Sequence, residues 1–317
     1  MSEALIEEVE RVVEEALSWA KSSTRIVEDF LLSVERPVVS YSGLGIVPAK
    51  TFANAARTLT QEPWLYALPA SEVAVHVAPY REWRYAVLHF MVDPWGRSET
   101  ARLADVLYLM EVPALYVLPE SEELVLAQKI PEGSALRVPA NVDVLSHEVL
   151  LAATSSVSFS AKRAKRGDLR ISRLMSEFSD MRGIAREVSE RYSDFLREVS
   201  SLVEHGRRLT ILYSSIMEPA ALSLVRALRR RVCVELFELN EGLPLLSRGD
   251  SVLIVCSSTE ESSCRDAKFR AAHAGFEVRD LVFGTDPLSA VIYCYILSLL
   301  VERVIGLKSL ERLGHRF

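Results

Sequence analysis

The chain has 317 residues, of which 49% are hydrophobic and 25% are charged, and its formal net charge is −6. These values are typical of globular proteins, exclude a disordered or fibrous chain, and argue against nucleic-acid binding as the main function. The longest apolar run, 290–301, is shorter than the roughly 20 residues that cross a bilayer. Glutamates at positions 3, 7, 8 and 10 argue against a signal peptide, so we expect a cytoplasmic protein with no membrane partner.

The first half of the chain alternates between predicted helices and strands. Residues 5–34 carry apolar side chains at helical spacing, and Pro37 ends this segment. Short apolar or β-rich runs predict strands at 38–41, 72–77, 86–92, 114–118, 125–130 and 135–138. Helices are predicted at 49–59, 100–110 and 142–159.

The same alternation restarts in the second half, after a stretch rich in Arg, Glu and Ser at 161–206 that predicts one long charged helix. Strands are predicted at 209–213, 232–237, 252–256 and 277–283, and helices at 219–230, 260–274 and 287–305. Repeated strand-helix order predicts parallel sheets. We therefore predict two tandem, doubly wound, flavodoxin-like α/β domains: a helical segment at 1–35, a first domain at 36–160, a helical connector at 161–206 and a second domain at 207–317.

The cysteine and amide content indicates the redox state of the thiols and the temperature at which the protein works. The four cysteines, Cys233, Cys256, Cys264 and Cys294, form no C-x-x-C pair and have no histidine at metal-binding spacing, so they are predicted to be reduced core thiols. Asn and Gln together occur only five times, at 54, 141, 240, 61 and 128, while Arg and Glu are abundant. Scarce amides favour a protein that works at high temperature, although a GC-rich genome would also enrich Arg.

One loop has the parts of a phosphate site. This loop follows a predicted buried strand and opens a helix, and it contains Gly96, Arg97, Ser98 and Thr100. The glycine would allow a close backbone approach, and the hydroxyls, the guanidinium and the free N–H groups of the helix start would donate hydrogen bonds to an anion. The alternative interpretation is an ordinary helix start, with Ser98 as its N-cap and Arg97 in solvent.

Other motifs are less specific. Ser42, Gly43 and Gly45 form a short glycine turn after the first strand, which would let a sugar or phosphate approach or would serve close packing. In the second half the hydroxyls at 257–259 stand before two glutamates, where helix capping is the default interpretation. His147 and Glu148 begin an apolar helix and are an acid-base pair in principle. No Ser-His-Asp order, zinc motif or P-loop is present, so we expect no metal and no cofactor.

These segments together resemble the sugar isomerase (SIS) family, in particular the tandem-domain archaeal phosphoglucose/phosphomannose isomerases. The resemblance is carried by VSYSGLG at 39–45, VDPWGRSET at 92–100, and DPL at 286–288 with the apolar helix that runs to VIGLK at 304–308. It implies a homodimer that binds a phosphorylated sugar between its domains. It also implies aldose-ketose isomerisation in which a histidine helps to open the ring and a glutamate moves a proton between C1 and C2.

The chain departs from that family at the residues that carry the chemistry. Two serine positions of the phosphate loop are Asp93, which would repel a phosphate, and Trp95, which would occupy space that a sugar needs. The stretch equivalent to the family's catalytic-glutamate segment is 226–231, which has four arginines and no acid. Replacement groups are Glu238, Glu241 and Glu148 with His147. The sequence thus leaves two interpretations: a sugar-phosphate isomerase with altered residues, or a degenerate SIS protein with a sugar-phosphate-binding, regulatory or partner-binding role.

Overall fold

The structure is a computed structural model, and it describes residues 3–80, 84–122, 126–164, 168–204, 208–229, 231–247 and 251–314. The chain divides into two compact units. The five-stranded unit comprises residues 12–181, and the four-stranded unit comprises residues 1–11 together with 182–317.

The five-stranded unit contains one fully parallel sheet in the order β2-β1-β3-β4-β5. Its strands are β1 (Arg36–Ser42), β2 (Ala67–Pro69), β3 (Tyr85–Met91), β4 (Ala114–Pro119) and β5 (Ala135–Val138). Every residue of β3 is buried, as its unbroken apolar sequence predicts for a central strand that is covered on both faces. This strand and β1 run side by side, from the pair Arg36 and Tyr85 to the pair Ser42 and Met91.

Helices enclose this sheet. They are α1 (Glu3–Leu32, which begins in the four-stranded unit), α2 (Ile46–Thr60), α3 (Ala70–Glu72), α4 (Arg97–Leu109), α5 (Val144–Arg163) and α6 (Leu169–Glu177). Helix α5 begins where the Asp143 carboxylate accepts a hydrogen bond from the Ser146 backbone N–H, which satisfies one of the free N–H groups of the first turn. It packs against α2, and it also contacts the turn that follows β1.

The four-stranded unit repeats this design with one strand fewer. Its parallel sheet has the order β7-β6-β8-β9, with strands β6 (Leu209–Tyr213), β7 (Val234–Glu238), β8 (Ser251–Ser257) and β9 (Glu277–Phe283). Its helices are α7 (Met181–Arg191), α8 (Ser193–Glu204), α9 (Glu218–Leu228), α10 (Leu239–Gly242), α11 (Glu261–His273) and α12 (Pro287–Gly314). Its strand order matches that of the first four positions in the larger sheet, so the predicted fold, a tandem of two doubly wound parallel α/β sheets, is confirmed.

Two local predictions in the first half are wrong, and one short strand was missed. Residues 73–77 form one turn of π-helix after α3, where a strand was expected. Residues 126–130 form turns, and the rest of that predicted strand lies outside the described residues. The short edge strand β2 was not predicted at all. The apolar residues Val73 and Ala74 pack into the core from a helical backbone, and a five-residue apolar run cannot distinguish the two geometries.

The segment predicted as one long connector helix is three separate helices, α6, α7 and α8. Asp168 caps α6 by accepting a hydrogen bond from the Arg170 backbone N–H. Backbone bonds from Ser179 and Asp180 then close a turn that separates α6 from α7. Side chains that bond their own backbone compete with helix propagation, and the sequence prediction did not weigh this competition.

The apolar closing helix is a core helix. The helical segment Pro287–Gly306 is long and apolar enough to cross a membrane by length and composition alone, but 83% of its apolar 18-residue window is buried inside the protein. Tyr293, Tyr295 and Ile296 are at most 5% exposed within this single chain. These side chains are therefore buried without a partner subunit, and the homodimer stays a prediction that rests on the family resemblance.

Candidate functional site

The candidate site of the five-stranded unit lies at the carboxyl ends of β1 and β3. Ligands of doubly wound sheets bind where the strand order reverses, and in the order β2-β1-β3-β4-β5 that point lies between these two strands. Each of the two strands runs into a single 3-10 turn and then a helix. We call these turns the β1 turn (Gly43–Gly45) and the β3 turn (Pro94–Gly96).

Two glycines let these turns approach the sheet. A Cβ atom at Gly45 would lie 2.1 Å from the carbonyl oxygen of Phe90, and one at Gly96 would lie 2.4 Å from the Oγ of Ser42. Real Cβ atoms do not come so close, so both positions require glycine. The predicted site glycines are therefore needed for packing the turns onto the ends of the strands, whether or not a ligand binds.

The predicted phosphate-binding hydroxyls belong to a buried network. The Ser42 and Thr100 hydroxyls lie 2.7 Å apart, and Thr100 Oγ1 lies 2.9 Å from Nε2 of His89. The Nδ1 atom of His89 lies 3.2 Å from Ser40 Oγ. All four residues are at most 1% exposed. Burial lowers the pKa of His89 to about 3, so this imidazole is neutral at pH 7 and links β1 to α4 as a structural hydrogen-bonding group.

The Asp93 carboxylate links the β1 turn to the β3 turn. Its Oδ2 accepts a hydrogen bond of 2.7 Å from the Leu44 backbone N–H, and its Oδ1 accepts one of 2.9 Å from the Trp95 backbone N–H. A Cβ at Gly43 would lie 2.9 Å from both carboxylate oxygens. Two N–H groups from separate loops thus converge on one anionic group at the start of the helical segment that leads into α4, where the helix dipole favours negative charge.

The guanidinium of Arg97 is also engaged within the chain. Its Nε and Nη2 donate to the two carboxylate oxygens of Glu122, at 2.5 and 2.8 Å, and Glu122 is 3% exposed directly after β4. This bidentate geometry is the one that arginine uses for phosphate. The remaining predicted residue of this loop, Ser98, is exposed, and the neighbouring Trp95 is 90% exposed at the rim.

Glu148 and His147 do not form an acid-base pair with each other. His147 is 1% exposed, its Nδ1 lies 2.9 Å from the Asp143 carbonyl oxygen, and its ring packs on Trp19 of α1. Glu148 is fully buried, and neither of its carboxyl oxygens has a hydrogen-bond partner among the residues that the structure describes. Burial, and then the charge of Asp93, raises the pKa of Glu148 well above its usual value, so the neutral carboxylic acid is favoured.

The equivalent edge of the four-stranded unit is acidic. Ser257 at the end of β8 contacts the Thr259 hydroxyl at 2.8 Å and donates a hydrogen bond of 3.2 Å to the Glu260 carboxylate. In both units, therefore, the loop after the third strand contains a carboxylate that accepts a hydrogen bond from within that loop. Ser214, at the end of β6, has a buried hydroxyl without a partner in the described residues.

Glu238 and Glu241, the other predicted catalytic residues, follow β7 in this unit. The Glu238 carboxylate accepts from the Asn240 N–H and caps α10, and Glu241 is exposed. Burial raises the pKa of Tyr213 to about 12, with smaller contributions from Glu218, Glu238 and Glu241. Glu218 was not considered from the sequence, although its position directly after the β6 turn was a usable signal. In the described residues no cluster of three His, Cys, Asp or Glu is arranged to hold a metal ion.

A disulfide spans the hydroxyl-rich loop after β8. Cys256 is the second-last residue of β8, Cys264 lies in α11, and the turn between them brings the two Cα atoms to 6.6 Å. The prediction of four reduced thiols is wrong for this pair because the tight strand-turn-helix connection places them side by side. Cys233 is free and exposed, and Cys294 is free and buried.

We expect the unfolded, unreduced protein to titrate with two thiols, and the reduced protein with four. Blocking with a maleimide under denaturing conditions and intact-mass measurement counts them directly. A disulfide across eight residues should contribute about 2.5 kcal/mol to the free energy of unfolding by loop closure. A double Cys256→Ala, Cys264→Ala variant should therefore unfold at a lower urea concentration. Four thiols in freshly purified, unreduced protein would contradict the pairing.

Comparison with known proteins places the fold. No family model matches the chain, and no curated protein matches its sequence. Solved structures do match over nearly the whole chain. A sugar-binding protein from Salmonella typhimurium is 12% identical, with a TM-score of 0.71 over 95% of this chain and 99% of that one. A phosphosugar isomerase from Silicibacter pomeroyi is 16% identical, with a TM-score of 0.63 over 94% and 98%.

A third similar structure is the C-terminal domain of glucosamine-fructose-6-phosphate aminotransferase from Francisella tularensis, at 13% identity and a TM-score of 0.64 over 95% of both chains. At such identities these similarities establish the fold. The chain has the tandem sugar isomerase (SIS) fold, and the resemblance inferred from its sequence is confirmed at that level. The closer resemblance to archaeal phosphoglucose/phosphomannose isomerases stays a prediction.

Proposed function

We propose that this protein is a sugar isomerase-fold protein with a binding role, and that it does not isomerise phosphosugars. The observation that carries this proposal is the internal use of the predicted phosphate donors. The Ser42 and Thr100 hydroxyls bond each other beside His89, and the Arg97 guanidinium is held by Glu122. A sugar phosphate would have to break these contacts, each of which is worth roughly 0.5–3 kcal/mol, before it could use the same donors.

The acid-base groups support the same conclusion. General acid-base catalysis needs a group within hydrogen-bond reach of the reacting atoms. His147 is buried against Trp19, and Glu238 is committed to capping α10. The similarity in fold to a sugar-binding protein supports a carbohydrate as the ligand class, with a regulatory role as its simplest use. Fold similarity alone does not transfer an activity.

A second candidate function is isomerisation with a replacement base, and one observation favours it. Glu148 is a buried carboxyl group without a hydrogen-bond partner in the described residues, and its pKa is raised by burial. Perturbed carboxyl groups of this kind concentrate at active sites. The acidic edge of the four-stranded unit offers Glu218 as a further base, since the charge of Glu218 contributes to the raised pKa of Tyr213.

Turnover separates the two candidates. We expect a coupled assay with fructose 6-phosphate and mannose 6-phosphate to give no rate above the background, against the 1–10³ s⁻¹ of ordinary enzymes. Thermal unfolding with a panel of sugars should identify the bound class, because a ligand at 100 times its Kd adds about 2.7 kcal/mol. The assay should be run up to the highest temperature at which the protein stays folded.

Measurable turnover at ordinary rates would reject the binding role. The base would then be identified with Glu148→Gln, Glu218→Gln, Glu238→Gln and Glu241→Gln, one of which should lose about 10²-fold or more in kcat. Glu120→Gln is the matched control, because this exposed carboxylate follows β4 in the five-stranded unit and accepts a hydrogen bond from the Ala140 backbone N–H. That variant should retain the rate of the unmodified protein.

A further inference from the structure

The turns after β1 and β3 hold an anion that belongs to the chain. The Leu44 and Trp95 N–H groups come from different loops, yet both point at the Asp93 carboxylate, at 2.7 and 2.9 Å. Paired backbone N–H groups at the start of a helix form an anion site in many proteins. In this unit the carboxylate is already the anion in that position.

We propose that Asp93 is a specificity-determining residue: its carboxylate fills the anion site between the β1 turn and the β3 turn and excludes phosphorylated ligands from it. This inference rests on the proposed binding role. Under this proposal, the carboxyl-end edge of the five-stranded sheet rejects phosphorylated ligands. By the same geometry, this edge can accept a ligand that presents no phosphate to the β1 turn.

Space and charge both support the exclusion. The carboxylate packs so closely on the β1 turn that a Cβ at Gly43 would lie 2.9 Å from it, which leaves no room for a phosphate between them. A second carboxyl group, Glu148, lies on α5, the helix that contacts the β1 turn, and it has no hydrogen-bond partner among the described residues. A dianionic phosphate placed here would meet the Asp93 carboxylate at contact distance, and the guanidinium of Arg97 in the same loop is already paired with Glu122.

The β3 turn can keep its hydrogen bonding when the Asp93 carboxylate is removed. Serine is as good an N-cap as aspartate, so Asp93→Ser can keep the hydrogen bond to the Trp95 N–H while it vacates most of the volume. The Leu44 N–H then loses its acceptor and is free to donate a hydrogen bond to an anionic ligand. The buried contacts among Ser42, His89 and Thr100 do not involve Asp93 and should stay intact.

The test measures binding of inorganic phosphate and of fructose 6-phosphate to the full-length protein by calorimetry. The unmodified protein should show no measurable binding of either ligand at this site, and Asp93→Ser should bind both with a Kd at least about tenfold below the detection limit set by the unmodified protein. In amide NMR spectra of the variant, the Leu44 and Trp95 signals should shift on addition of phosphate. Asp93→Gly, which removes the side chain altogether, serves as the second variant if Asp93→Ser unfolds.

Glu120→Ser is the matched control, because it removes one negative charge and one acceptor of a backbone N–H from the same unit at a different strand end. It should leave phosphate binding unchanged, and a gain equal to that of Asp93→Ser would show that only net charge matters and would overturn the proposal. Tight binding of phosphate to the Leu44 and Trp95 amides of the unmodified protein would overturn it as well, as would a folded Asp93→Ser or Asp93→Gly protein that binds none. Because these readouts are binding and not turnover, they fail independently of the isomerase assay.

Discussion

Replacing Gly45 with alanine is expected to destabilise the five-stranded unit by about 3 kcal/mol or more. The added Cβ would lie 2.1 Å from the Phe90 carbonyl oxygen and 2.7 Å from its carbonyl carbon, both of which are backbone atoms of the central strand β3. A strand in the middle of a sheet cannot move aside without breaking its own ladder, so the strain cannot be relieved by a side-chain rotation. Urea unfolding followed by circular dichroism measures the loss as a lower midpoint.

Gly306→Ala is the matched control for this prediction. Gly306 lies in α12, and a Cβ built there meets no atom within 4 Å. Alanine is the better helix former by about 1 kcal/mol, so this variant should be as stable as the unmodified protein or slightly more stable. Equal midpoints for Gly45→Ala and the unmodified protein would show that the β1 turn is not packed on β3 as described.

The second large effect is expected at Glu148 and depends on pH. Burial raises its pKa, so the folded protein keeps a proton that the unfolded chain releases near pH 4.5. Above that pH the unfolded state binds fewer protons, and stability falls as pH rises, by at most about 1.4 kcal/mol per pH unit until the folded-state pKa is reached. Glu148→Gln is neutral at every pH and escapes this loss.

The measured quantity is the difference in unfolding free energy between Glu148→Gln and the unmodified protein at pH 4, 6 and 8. We expect a small difference at pH 4, where both side chains are neutral, and a difference in favour of the glutamine variant that grows towards pH 8. His89, whose lowered pKa removes stability as pH falls below 6.5, acts equally in both proteins and cancels. A difference that is constant with pH would mean that Glu148 is ionised in the folded protein.

The sheet architecture was predictable because its signal is carried by long, repeated patterns. The strands β3, β6, β8 and β9 and the long helix α1 lie within two residues of their predicted bounds, whereas α12 begins at Pro287 as predicted but continues past residue 305 to Gly314. The short elements carry no comparable signal. Strand β2 has three residues and the π-helical turn at 73–77 has five, so tertiary packing decides their conformation.

The sequence identified the two turns that the structure brings together, but it did not identify the contacts between them. The sequence pointed to the turns after β1 and β3, and it also pointed to Asp93 as an unfavourable neighbour for a phosphate. It could not show that Asp93 binds the Leu44 N–H, because that contact joins residues 49 positions apart. The partners of Arg97 and Thr100, which are Glu122 and His89, were missed for the same reason.

The membership of helix α1 in both units has a consequence for the order of synthesis. Glu10, near its start, is 2% exposed, and its carboxylate accepts hydrogen bonds from Arg182 at 2.8 Å and Arg186 at 3.1 Å. These cations are 172 and 176 residues further along the chain, a delay of roughly 10–30 s at ordinary rates of translation. Burying an ionised carboxylate without its partner is strongly unfavourable, so the first turns of α1 are expected to stay in solvent until α7 has been synthesised. The five-stranded unit is therefore free to fold during synthesis, whereas the four-stranded unit is completed by residues that are synthesised before the five-stranded unit.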